Sequence, residues 1–209
     1  MGPTIGAAGI APVLRAVVAA SLLATFAVAG AVRASTLNPP PPAYYTCHAS
    51  GSGTLCSANL VDEGILQPAD FSCGEGASAF DVWDDGRVVI VHLERSYDAN
   101  GNLVRRLAKE TWLGFAWQNP ANGHQVPYRQ NTVTVDELTI PGDFASAVST
   151  ATGVVTFVLP GQGAIVQNAG RVIYGTDGSV EFRSGPQAFL DYFVDGNTAV
   201  FQPLCDALS

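Results

Sequence analysis

Few side chains in this sequence could do chemistry, so their spacing carries most of the information. Three histidines occur, His48, His92 and His124. Side chains on a strand return to the same face every two residues, so His92 and Glu94 share a face. Such a pair could bind a metal or move a proton; on a strand it reads first as a surface pair. Carboxylates are adjacent at Asp62-Glu63, Asp84-Asp85 and Asp136-Glu137. Glycoside hydrolysis needs two carboxyls facing each other across a sugar, whereas strand neighbours point to opposite faces. Asp84-Asp85-Gly86 reads as a hairpin turn. Cys47, His48 and Cys56 fit no standard zinc spacing. The sequence has no His-Glu-x-x-His, Gly-x-Ser-x-Gly, phosphate-loop, dinucleotide or calcium-loop pattern. No metal and no cofactor are expected, and no catalytic residue is assigned.

The most informative segment is Trp112-Leu113-Gly114-Phe115-Ala116-Trp117. Strict alternation places Leu113, Phe115 and Trp117 on one face and Trp112, Gly114 and Ala116 on the other. A strand apolar on both faces is either covered twice or exposes a sticky patch. The candidate ligand-binding residues are therefore Trp112, Phe115 and Trp117, with His92 and Arg171 as polar partners.

The elements that position these residues follow from composition and turn signals. The chain has 209 residues, 47% hydrophobic and only 13% charged, with 22 Gly and 13 Pro. That apolar content excludes a disordered chain, and the shortage of Glu, Lys and Leu excludes a long-helix protein. A net charge of -8 makes a nucleic-acid partner unexpected, because phosphate binding needs a basic surface.

Residues 1–34 read as a secretory signal. Arg15 precedes an apolar run from Ala16 to Ala31, and Val32-Arg33-Ala34 offers small or apolar residues at a cleavage site. The expected product is secreted and extracellular, does not span a membrane, and carries 8 basic against 18 acidic residues. All four cysteines lie in this part, and an even number in an exported chain reads as two disulfides. The preferred pairs are Cys47–Cys56, closing a short Gly/Ser loop, and Cys73–Cys205, tying the start of the folded body to its end. Residues 35–70 are expected to form a Pro-rich arm (Pro39 to Pro42) with the small disulfide loop. Residues 71–209 are expected to form a single β domain.

Turn signals recur at Asp85-Gly86, Asn100-Gly101, Asn122-Gly123, Pro141-Gly142, Pro160-Gly161, Asp177-Gly178 and Asp195-Gly196. Their spacing of about 18 residues implies long strands joined by short turns. Strands are expected at about 77–84, 87–97, 103–117, 125–136, 147–159, 164–174 and 179–184, with an eighth within 189–201. Short helical turns are expected at Phe189 to Asp191 and Pro203 to Leu208. The fold class is all-β: an antiparallel meander of about seven or eight long strands, closed or nearly closed into a β-barrel, with a β-sandwich as the alternative. For the 87–97 and 103–117 hairpin, a two-residue turn would set Arg95 opposite Arg106 and His92 opposite Lys109, which is unfavourable. A loop of three or four residues is preferred, making Glu94 the cross-strand partner of Arg106 or Arg105.

The run Gly153-Val154-Val155-Thr156-Phe157-Val158-Leu159-Pro160-Gly161-Gln162-Gly163, followed by Ala169-Gly170-Arg171-Val172-Ile173, Asp177-Gly178, Phe182, Gly185-Pro186 and Leu204-Cys205, resembles uncharacterised secreted β-rich proteins of actinobacteria. The resemblance covers roughly residues 71–209 and implies a fold but no activity. Such proteins often carry His after the Gly-Pro; here Gln187 stands there, so no role for that His carries over. The preferred function is a secreted, non-enzymatic barrel that binds a small apolar ligand. The alternatives are a cell-envelope structural or interaction module, and a cyclase- or isomerase-like enzyme acting through His92, Arg171 and Glu181.

Overall fold

The computed structural model describes residues 36–64 and 66–209. The expected secretory signal lies outside these residues. The fold is all-β and antiparallel, with ten strands in chain order: β1 (Thr46–Ser50), β2 (Gly53–Glu63), β3 (Leu66–Cys73), β4 (Phe80–Asp85), β5 (Val88–Tyr97), β6 (Leu103–Gln118), β7 (Gln125–Leu138), β8 (Ala147–Leu159), β9 (Gly163–Tyr174) and β10 (Val180–Ser184). Two short helices follow, α1 (Ala188–Phe193) and α2 (Gln202–Leu208). Pro203 sits in the first turn of α2, where its missing N–H is no loss.

The strands form one sheet in the order β1-β2-β5-β6-β7-β8-β9-β10, with β3 paired to β4 and β4 paired to β6. The sheet forks at β6. Leu103 to Leu113 pair with β5, and Ala116 to Gln118 pair with β4. The expected barrel closure does not occur, since β1 and β10 each end the strand order. The reason lies in residues 189–201, where an eighth strand was expected. They form α1 and a 3-10 turn, which cover one face of the sheet instead of bridging its two edges. An apolar face can be buried by helices as well as by closure.

Strands β4 to β10 fall close to the expected ranges, whereas β1 to β3 were not foreseen. The expected boundary at 70/71 falls inside β3, and β2 is hydrogen-bonded to β5 from Thr54 to Glu63. Both disulfides form as preferred, Cys47–Cys56 across the β1–β2 hairpin and Cys73–Cys205 between β3 and α2. The start of the arm is docked. Leu37 is buried, Asn38 N–H donates to Gly101 O, Leu103 N–H donates to Asn38 O, and Tyr97 hydroxyl donates to Pro39 O.

Register divides the sheet into two faces. On one, Thr54, Cys56, Arg95, Arg106, Trp112, Phe115, Trp117, Tyr128, Val155 and Phe157 follow one another across the strands. This face carries two cores at opposite ends. The larger joins the strand aromatics to Phe201, Leu204 and Leu208 of the C-terminal segment; the smaller holds Leu37, Cys56, Tyr97, Leu103 and Leu138. The other face carries no covering element among the described residues.

The 98–102 loop shows how local and non-local effects compete. Asp98 N–H donates to Asn102 O, Gly101 N–H donates to Asp98 O, and the Asp98 carboxylate accepts from Asn100 N–H and Asn102 N–H. Gly101 takes φ +82°, open to glycine at little cost. The loop is thus of the longer kind preferred from sequence, and Tyr97 faces Leu103. A bulge at Val104 then moves the register by one, so Arg95 faces Arg106, His92 faces Lys109, and Glu94 faces Leu107. The expected Glu94–arginine pairing is therefore not formed. The like charges are relieved elsewhere. Arg95 lies over the Tyr45 and Phe144 rings, and Arg106 pairs with Asp136 at 2.6 Å while covering Phe144.

Candidate functional site

The Trp112–Trp117 segment does not alternate as expected. Trp112 faces Gln130 and Phe115 faces Tyr128, so β6 carries one extra residue between them. That residue takes up a β-bulge, with Gly114 at φ +70°, a conformation that favours glycine. The bulge resets alternation and brings Trp112, Phe115 and Trp117 to one face. The Trp112 and Phe115 rings lie 4.7 Å apart. A lone glycine inside an apolar strand was the available sequence signal for this bulge.

Trp112 and Trp117 fill space rather than line a lumen, whereas Phe115, though buried, also borders a cleft together with Tyr128. Trp117 packs against Phe71, Phe157 and Phe201 at centroid distances of 4.8, 4.4 and 5.7 Å. Phe115 is buried beneath Gly86, where any side chain would collide with its ring. Trp112 N–H donates to Glu110.

Within this cluster sits a carboxylate that sequence reading assigned to a turn. Asp84 lies in β4 opposite Trp117, buried, and its two oxygens accept from the Tyr128 hydroxyl at 3.1 and 3.0 Å. Burial pushes its pKa up to about 6, against the lowering effect of the Tyr128 and Trp117 hydrogen bonds. Burial and the neighbouring Asp84 also raise the Tyr128 hydroxyl pKa. The two side chains therefore form a desolvated pair within the aromatic core. The sequence signal was faint, because Asp-Asp-Gly normally marks a turn. Here β4 leaves β5 to pair with β6, so no hairpin forms at that point.

His92 and Arg171 lie on the opposite, uncovered face. His92 contacts Asn59 Oδ1 at 2.8 Å through Nδ1 and Glu94 Oε1 at 3.1 Å through Nε2, as a sheet-surface pair. Arg171 is exposed and occupies the same cross-strand row, His92–Lys109–Val133–Thr152–Arg171. Four strand spacings of about 4.8 Å separate the two, roughly 19 Å. The sequence-predicted set is thus split: three aromatics together on one face, and two polar residues far apart on the other.

The uncovered face holds a broad concavity. A cleft of about 790 Å³ runs over β7 and β8, bounded by Gly114 of β6 and Pro160 beyond β8. That volume falls within the range of small-molecule sites. Three levels form its floor: Pro127 and Val158 at one end, Arg129 opposite Thr156 in the middle, and Asn131 opposite Val154 at the other end. The end rows are apolar or mixed, and the middle row is polar and basic. Arg129 is exposed, and among the described residues it makes no ion pair or hydrogen bond. The Arg87 methylenes lie over Gly114 at the β6 side. Sequence reading missed Arg129 because one arginine in a polar strand has no distinguishing pattern. A smaller recess of about 140 Å³ lies between α1 and β7–β9, beneath Gln187 and Phe189.

No group of three or more metal-ligating side chains occurs among the described residues, and no described helix is long and apolar enough to cross a membrane. No family model, no curated protein and no solved structure matches the chain.

Proposed function

We propose that this protein is an exported, non-enzymatic binding module that holds a small apolar ligand in the cleft over β7 and β8. One observation carries this reading: a cleft of about 790 Å³, walled by Pro127, Val154, Val158 and Pro160, on the face that the helices leave uncovered. A concave, mainly apolar site with a few polar groups is the usual form of a small-molecule site. The two disulfides fit an oxidising compartment, as expected for a member of the secreted β-rich group that the sequence resembles. The separation of His92 from Arg171 removes the motive for an enzyme built on that pair.

The test is NMR titration of the labelled protein with a panel of alkanols, fatty acids and small aromatics. Saturable shifts confined to residues 127–131 and 154–160, abolished by filling the cleft with Thr156→Tyr, support the reading. Shifts that map to Phe71, Phe201 and Leu204, away from the cleft, or no binding by any compound, overturn it.

A second reading, an envelope interaction module, draws on Val61, Ile90 and Leu113, which are exposed on the same face. Crosslinking from Ile90→Cys to envelope proteins, absent from a matched Ala99→Cys control on the 98–102 loop, distinguishes it.

A further inference from the structure

The charges on the uncovered face are sorted in an unexpected way. From residue 36 onward the chain carries 18 acidic and 8 basic residues, so an arbitrary patch should be acidic. The central patch is not. Its residues are Leu107 to Leu113 of β6, Arg129 to Val135 of β7, Thr150 to Thr156 of β8 and Gln167 to Ile173 of β9, taken alternately. These include Lys109, Arg129 and Arg171 and no carboxylate. All three cations are exposed, and none has an ion-pair partner among the described residues. Elsewhere, Arg105, Arg106 and Arg183 each face a carboxylate, Arg95 lies over two rings, and Arg87, beside Gly114, is exposed and forms no ion pair among the described residues.

The three cations are too dispersed to hold one small anion together. Lys109 and Arg171 are three strand spacings apart, roughly 14 Å, and the Arg129 row lies four residues, roughly 13 Å, along the strands from theirs. Only Arg129 belongs to the cleft. Around it, Thr156 stands directly opposite, and Pro127, Val158 and Pro160 make an apolar end one row away. One row is two residues, about 7 Å. The cleft lining therefore presents one cationic fork, Arg129, next to an aliphatic wall, with Arg87 at its β6 margin, within a patch whose field favours negative charge.

We propose that the ligand of this cleft is a free monoanionic amphiphile. Its carboxylate lies on the Arg129 guanidinium and the Thr156 hydroxyl, and its aliphatic part lies against Pro127, Val158 and Pro160. This rests on the cleft being the binding site, and the assay separates the two ideas. Octanoate and 1-octanol share a chain and differ in the charged head. Isothermal titration of each, at low and high salt, should show octanoate binding at least tenfold more tightly at low salt. That preference shrinks as salt screens the charge. Arg129→Gln should abolish the preference, bringing the octanoate-to-octanol affinity ratio to about one, and Lys109→Gln should leave that ratio near its wild-type value. Equal affinity for the two compounds would overturn the anionic ligand and leave the binding site standing. Binding of neither overturns both. A loss of preference in Lys109→Gln as large as in Arg129→Gln would also overturn the proposal, because a diffuse field and not the Arg129 contact would then set it.

Discussion

The two faces of the sheet solve opposite problems with the same strands. The covered face buries Trp117, Phe157, Phe201 and Leu204 against one another and takes Asp84 into their midst. The uncovered face keeps β-branched and hydroxyl residues in half-exposed rows and collects cations that lack partners. Because side chains alternate, every strand contributes to both. The contrast teaches where substitutions should be felt as stability and where as recognition.

The largest expected effects lie on the covered face. Replacing both Cys73 and Cys205 by alanine releases a link across 132 positions, and chain entropy gives a loss of roughly 4–5 kcal/mol in chemical denaturation. Trp117→Ala should lower unfolding free energy by about 3–5 kcal/mol, because its neighbours cannot all close the gap. A loss below 1 kcal/mol would mean that the aromatic cluster is not the core.

Asp84 sharpens the comparison through pH. Its carboxyl titrates near 6 when folded and near 3.8 as the reference value, so the folded protein holds the proton more tightly. The stability linked to this group is complete below about 3.8 and is lost as pH rises through 6. The upward shift corresponds to about 3 kcal/mol in order of magnitude. Denaturation of wild type and Asp84→Asn across pH 4 to 7.5 should therefore give a difference that changes over this window in favour of the variant. A difference independent of pH would show that Asp84 is not held in a desolvated site.

Smaller effects follow at the edge of the second core and on the open face. Phe144→Ala removes the ring shared by Arg95 and Arg106 and should reduce stability by about 0.5–1 kcal/mol. Arg171→Gln, on the uncovered face, should change stability by no more than about 0.5 kcal/mol in a thermal melt. A larger loss there would mean that the face is covered in solution.

Most of this architecture was legible where periodicity was strong. Long alternating runs bounded by Gly turns marked β4 to β10, and both disulfides followed from an even cysteine count and loop closure. Residues 46–73 hid three strands because their Gly, Ser and Pro content reads as loop, and only pairing with β5 and β4 makes them strands. That is tertiary context overriding local preference. Two bulges escaped the reading for a related reason. Each adds one residue that alternation cannot register, and each changes who meets whom: Arg95 with Arg106, and Trp112 with Phe115. The site was half legible. The aromatics expected to bind a ligand lie together on one face and pack as core, while Arg129 carried no pattern of its own.

The Cys73–Cys205 bridge has a mechanical consequence. A pull between residue 36 and the C-terminus would pass directly from Cys73 to Cys205 through the covalent link. Strands β4 to β10 and α1 lie within that loop and would carry no tension along their own backbone. Extension could come only from β1 to β3 and the few residues after Cys205, shortened further by Cys47–Cys56. Under load the molecule would peel its first three strands and then stop.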